Sequence, residues 1–136
     1  MVEALSLAAI EAAAARIKGR VVETPVHHWR GPLLNDLLGD DTEVVLKLEL
    51  FQHTGTFKAR GALVNLLNLG KTQLANGITA VSAGNHAIAA AFAAHLSGAS
   101  AKVVMMQGAN PFRVSQCRTY GAEIAFAESV HQAFDM

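Results

Sequence analysis

From Ile78 onward the chain alternates a short apolar run with a helical pattern three times: "ITAVS" then "NHAIAAAFAAHL", "AKVVMM" then "PFRVSQCRTYG", and "EIAFA" then "SVHQAFDM". No other feature restricts the fold so strongly. Antiparallel strands can be joined by a tight hairpin, whereas strands separated by helices pair in parallel with the helices as crossovers. The expected fold class is α/β, an open parallel sheet with helical crossovers. Pro111 suits the first turn of its helix and Gly121 suits that helix's C-terminal stop.

Upstream the pattern is less regular. Residues 1–19 read as an amphipathic, Ala-rich helix ending at Gly19, with Glu3, Glu11, Arg16 and Lys18 on a solvated face. Pro25, Gly31, Pro32 and Gly39 punctuate irregular structure around a short helix at Leu33 to Leu38. "EVVLKLEL" reads as a strand, and Thr56 to Leu69 as a helix that ends at Gly70.

The chain's 136 residues suit one ordinary domain but not a large two-domain enzyme. Its 11 basic and 11 acidic residues cancel, so bulk charge favours neither nucleic acid nor an anionic membrane. The amino-terminal segment has no basic leader and no unbroken apolar core, so neither a signal peptide nor a membrane span is expected. One cysteine, Cys117, excludes an internal disulfide and favours a reducing, cytoplasmic compartment. It lies mid-helix and reads as a buried apolar residue.

The chain is 51% hydrophobic before its 11 glycines are counted, whereas ordinary domains reach ~45–50% with glycine included. That excess implies an oligomer, or a piece whose surface more protein should cover. The last helical pattern has only begun at Met136, so the terminus reads as cut.

Two stretches carry chemistry. "HTGTFKARGA", residues 53–62, puts Lys58 in the first turn of a helix, where the positive end of the helix dipole disfavours an ammonium and favours a neutral amine. A neutral amine condenses with carbonyls. Gly55 would let the chain turn tightly and leave room for a flat ligand, and Phe57 could pack on it. The bland alternative is a solvated surface lysine. "VSAGNHA", residues 81–87, follows a strand and opens a helix, so its N–H groups point where a carboxylate or phosphate could bind. Its bland alternative is a cap by Ser82 or Asn85 with Gly84 relieving the turn. His86 reads as a packing or capping residue.

Taken together, "TGTFKARGA", "SAGNHA", "LKLELFQ" and "VVMMQGANPFRVSQCRTYGAEI" resemble the fold-type II pyridoxal-phosphate enzymes, which share the tryptophan synthase beta subunit-like fold. Within them the likeness is to the threonine/serine dehydratase and serine racemase group, and it runs from about Thr24 to the end. The resemblance implies that Lys58 holds pyridoxal 5'-phosphate as an imine and moves the substrate's α-proton. It also implies that Phe57 packs on the pyridine ring, that Ser82, Ala83, Gly84, Asn85 and His86 receive the substrate carboxylate, and that Asn85 bonds the cofactor's phenolic oxygen. Racemases of the group generally place an acid/base serine where this chain has Ala83, and a methyl cannot carry a proton.

The implied activity is a dehydratase (ammonia-lyase) that turns a β-hydroxy amino acid into a 2-oxo acid and ammonia. A same-fold racemase and a non-catalytic α/β remnant are the alternatives. The family's phosphate-cradling glycine loop is absent after Gly121, and its members are much longer, so the chain alone is expected to be inactive and to bind cofactor weakly. By the family's map, residues 1–76 open a large cofactor domain and 77–136 form an incomplete small one. A small-molecule amino acid is the expected partner, with a homo-oligomer or further sequence completing the site. Metal ligation is not expected, since adjacent His27 and His28 would face opposite ways in a strand. Arg60 reads as structural, and Trp29 and Tyr120 as packing residues.

Overall fold

The computed structural model describes residues 5–136, so Glu3 and the start of the first helical pattern lie outside the described residues. Helix α1 (Leu7–Ile17) begins at Ser6, whose hydroxyl accepts the Ala9 N–H at 3.2 Å, and Gly19 follows it at φ +75°. A left-handed residue just past a helix end is the usual stop. Glu11, Arg16 and Lys18 are exposed, and Ile17 alone in this helix is buried.

Strand β1 (Val26–Trp29), helix α2 (Pro32–Leu38) and strand β2 (Val44–Lys47) follow. The two strands form an antiparallel ribbon with Val26 opposite Lys47 and Trp29 opposite Val44. This corrects the sequence reading twice. The "EVVLKLEL" strand stops at Lys47, turns through a single 3-10 turn at Glu49–Phe51, and takes no part in the parallel sheet. Its partner comes from the stretch read as irregular. The reason is physical: no residue of β1 is buried, so it carries no local apolar pattern and owes its conformation to pairing with a distant segment. Trp29, expected to pack, is 49% exposed.

Helix α3 (Lys58–Leu67) buries Ala59, Ala62, Leu63 and Leu66, one apolar stripe at helical spacing. A short helix, α4 (Lys71–Ala75), was not legible in the sequence; it opens with the Gly70 N–H donating to Gln73 Oε1 at 2.9 Å. Strands β3 (Ile78–Val81), β4 (Ala101–Met106) and β5 (Glu123–Ala127) then form the expected parallel sheet in that order, with Ile78 opposite Ala101 and Lys102 opposite Glu123. The crossovers are α5 (Asn85–Ser97) and α6 (Pro111–Thr119), and α7 (Val130–Asp135) follows β5. Pro111 sits in the first turn of α6, and Gly121 follows it at φ +81°.

Every residue of α5 from Ala87 to Ala94 is buried. A helix apolar on all sides must be covered on all sides, and α3, α6, β3 and β4 all pack against it. Its alanines let those neighbours approach closely. β4 is the central strand, with Val103, Val104 and Met105 nearly inaccessible, as a parallel strand covered on both faces requires. Cys117 joins this core, and burial pushes its thiol up from the usual value.

Gly77 leads into β3 at φ +76°, and a methyl group there would collide with Ser100 Oγ and stand 3.0 Å from the Ser100 carbonyl oxygen. That oxygen accepts the Ile78 N–H at 2.9 Å, the first rung joining β3 to β4. Gly77→Ala is therefore expected to cost about 2–4 kcal/mol through left-handed strain plus displacement of the rung. A urea unfolding curve checks it.

Candidate active site

Lys58 is the first residue of α3 and is exposed. Among the described residues its amine makes no hydrogen bond, and Nζ lies 5.4 Å from the centroid of the Phe57 ring, itself 63% exposed. The partial burial that would desolvate the amine is thus not provided by these residues. Gly55 adopts φ +68°, and a methyl group there would meet nothing within 4 Å. Its glycine is required by backbone conformation, while the space beside it is open. His53 starts this turn; its ring lies 5.3 Å from that of Phe92, and its carbonyl accepts from Tyr120 Oη at 3.3 Å. Tyr120 also meets Phe92 edge-on, a packing role as expected. The lysine turn is thereby tied to α5 and to the end of α6.

Behind the turn lies a polar network that the sequence reading did not find. Arg60 grips Glu49 with two bonds, Nε to Oε2 at 2.9 Å and Nη2 to Oε1 at 2.8 Å, and Thr24 donates to Glu49 Oε1 at 2.6 Å. Thr24 and Gln52 are the two buried polar residues among the described residues, at 2% and 4% exposed. Bidentate arginine pairs of this kind are strong and specific in geometry. Arg60's hydrogen bonds hold the Glu49 carboxyl below its ordinary value, aided by Thr24 and opposed by burial.

A carboxyl depressed on folding stabilises the fold above its unfolded value, ~4.3, and loses that contribution as pH falls through the lower folded value. Glu49→Gln is therefore expected to be less stable than the parent near neutral pH. The gap should close as pH drops below ~4.3, read as urea midpoints across an acid series.

The second stretch occupies the carboxyl edge of the parallel sheet. Ser82 extends β3 by donating its N–H to the Val104 carbonyl at 3.0 Å, and its Oγ accepts the Gly84 N–H at 3.2 Å. Gly84 is the helix N-cap and has no side-chain cap bond, while Asn85 lies inside the first turn. The cap reading is thus corrected: neither Ser82 nor Asn85 caps α5, and no bond from the Asn85 or His86 N–H is made among the described residues. His86 is exposed and neither packs nor caps, whereas Ala83 and Asn85 are half-buried. Arg113 Nη1 donates to the Ala83 carbonyl at 3.4 Å, another contact without a sequence signal.

Packing of α3 on α5 joins the elements that carry the two stretches, though no hydrogen bond links Lys58 to residues 82–86 among the described residues. A cleft of about 850 Å³ lies elsewhere, between the ends of the ribbon and α2, and includes neither stretch. No group of three or more metal-ligating side chains occurs among the described residues. No helix of those residues is long and apolar enough to cross a membrane.

A turn with unbonded helix-start N–H groups at the carboxyl edge of a parallel sheet, opening a helix packed on another that begins with an unbonded lysine amine, is an arrangement able to hold an anionic group and to condense with a carbonyl. The family profile of pyridoxal-phosphate dependent enzymes matches residues 5–136, and the chain belongs to that family. It is 50% identical over 129 residues to a phenylserine dehydratase of Ralstonia pickettii, covering 95% of this chain and 38% of that protein. Among solved structures, maize serine racemase superposes with a TM-score of 0.83 at 32% identity, covering 96% of this chain and 38% of the other. A threonine deaminase from T.th. does so at 0.76 and 38% identity, covering 96% and 40%. The chain therefore spans about two fifths of the length of these relatives. Its residues fit the family's cofactor at the aldehyde end: a free amine, open space at Gly55 and an exposed aromatic ring stand together.

Proposed function

We propose that this chain supplies the lysine and the carboxylate-binding turn of a pyridoxal-phosphate-dependent dehydratase that converts a β-hydroxy amino acid, such as threonine or serine, to a 2-oxo acid and ammonia. The observation that carries this reading is the packing of α3, with its free helix-start amine, on α5, with its uncapped Ser82–His86 turn. The names of the relatives, a phenylserine dehydratase and a threonine deaminase, support the substrate class.

Pyridoxal phosphate, when bound, supplies an electron sink for the negative charge left at the α-carbon. Lys58 is the group that binds the cofactor and takes the α-proton. Phe57 covers the ring face. The N–H groups of the Ser82–His86 turn, at the positive end of α5, hold the substrate carboxylate, and Asn85 orients the cofactor's phenolic oxygen. Ala83 offers no proton on the opposite face, which favours elimination over racemisation despite the likeness to serine racemase. Residues 1–76 open the large domain and 77–136 belong to the small one, a division supported by the separate ribbon and parallel sheet. The phosphate cradle comes from further sequence, so the isolated chain should bind cofactor weakly, lacking several charge-assisted bonds. Exposed Leu33, Leu37 and Phe51 support an oligomer or a covering segment, and a lone buried cysteine supports a cytoplasmic setting.

The test is complementation: the chain is co-refolded with the part of the Ralstonia phenylserine dehydratase beyond the matched region and given serine, threonine or phenylserine. Formation of 2-oxo acid and ammonia is expected. Racemised amino acid without 2-oxo acid would overturn the elimination reading. Ala83→Ser in the same assembly should raise racemisation about 10²-fold or more by adding an acid/base group, measured by chiral chromatography.

A further inference from the structure

We propose that Gln52 and Arg60 are positioning residues for Lys58, suspending both ends of the lysine turn from one atom, the Val22 carbonyl oxygen. The inference rests on the reading of Lys58 as the cofactor lysine. Gln52 Nε2 donates to that oxygen at 2.9 Å and Arg60 Nη2 donates to it at 3.1 Å. Gln52 Oε1 accepts the Val22 N–H at 2.9 Å and the His53 N–H at 3.1 Å, so one side chain pairs with residue 22 as a strand neighbour would. Arg60 Nη2 also reaches Thr24 Oγ1 at 3.3 Å and Glu49 Oε1 at 2.8 Å, and Nε holds Glu49 Oε2 at 2.9 Å.

The turn between these anchors does little to fix itself. The Gly55 N–H donates to the Gln52 carbonyl at 2.7 Å, but the bonds through Thr54 and Thr56 are long, at 3.4 Å each. Phe57, the N-cap of α3, is helical in conformation and gives no side-chain cap bond. A helix start without a cap frays, and here the residue that frays would be Lys58. The clamp replaces the cap. Residues two apart on a helix do not share a face, so Arg60 fixes the backbone without occupying the side to which Lys58 projects. That separation makes Arg60 a positioning residue with no contact to the reacting atoms.

The test uses the full chain, pyridoxal phosphate as the probe, and site-resolved labelling. An amine condenses with the aldehyde and releases water, borohydride hydride then reduces the carbon–nitrogen double bond, and peptide mass spectrometry assigns the label among Lys18, Lys47, Lys58, Lys71 and Lys102. Lys58 should carry most of the label in the parent chain. In Gln52→Met, and in the double variant Glu49→Gln with Arg60→Met, the Lys58 share relative to the other lysines should fall about tenfold, with the far-ultraviolet circular dichroism spectrum unchanged. Thr24→Ser, which keeps the hydroxyl, should keep the preference.

A folded variant that retains the parent preference overturns the proposal and leaves the network as scaffold. If either variant unfolds, Arg60→Lys, which keeps the charge but loses the guanidinium fork that reaches both Val22 and Glu49, takes its place, and the same two outcomes decide. Even labelling in the parent chain would instead remove the Lys58 reading beneath the proposal, a failure visible before any variant is made.

Discussion

Lys58→Ala is expected to abolish the visible absorption that pyridoxal phosphate develops with the complemented assembly and to lower its 2-oxo acid formation about 10⁴-fold or more. Alanine has no nitrogen to bond the cofactor and no base for the α-proton, so two roles vanish with one side chain. The fold should not register the change. Lys58 is exposed and its amine makes no hydrogen bond among the described residues, and alanine is the best helix former, so stability should stay within about 0.5 kcal/mol. Lys47 could substitute only by giving up the bond from its amine to the Thr24 carbonyl. An equally stable variant with an undiminished band would show that the cofactor bonds elsewhere. A band lost together with the fold would contradict the exposed, unbonded position of the side chain. Difference spectra and a melting curve on the same two samples separate these results.

The parts of this molecule that were legible in the sequence are those whose signal is local. "AKVVMM" is a strand at the stated residues because a covered parallel strand is an apolar run, and "EIAFA" pairs beside it at the edge of the sheet. The lysine and serine stretches lie at helix starts, as read, because glycine and helix-start signals are short-range. What was missed is long-range. Val26–Trp29 becomes a strand only by pairing with residues 44–47, and its own two histidines give no hint of it. The clamp on the lysine turn joins residues 22, 24, 49, 52 and 60, and only a buried glutamine after an apolar strand could have hinted at it. The alternative of a cap by Ser82 or Asn85 failed for a different reason: the Ser82 hydroxyl serves the Gly84 N–H inside the turn rather than the helix, and Asn85 lies within the first turn, a choice that side-chain propensity does not decide.

Leu63→Ala is the second substitution expected to act strongly, through packing alone. Leu63 is fully buried on α3, in the same core as Ala87, Ala91 and Ala94 of α5. Removing a buried leucine costs the transfer of its methyl groups plus the cavity left behind, and the cavity cost depends on how far neighbours can close in. Apart from Ile88, the α5 residues in that core are alanines, which have no rotamers with which to fill a void, and α5 is itself held by α6, β3 and β4. The loss should therefore lie towards the upper end of the usual range, about 3–5 kcal/mol. Against a net stability of about 5–15 kcal/mol for an ordinary domain, that is a large fraction. In urea the midpoint should fall with the slope unchanged, while Leu63→Met, which nearly conserves volume, should cost less than about 1.5 kcal/mol. Because α3 begins at Lys58 and packs on α5 through this face, a loss below about 1 kcal/mol would mean that the α3–α5 contact yields easily. The lysine would then stand on a movable support, and its position would depend on the clamp at Val22 alone.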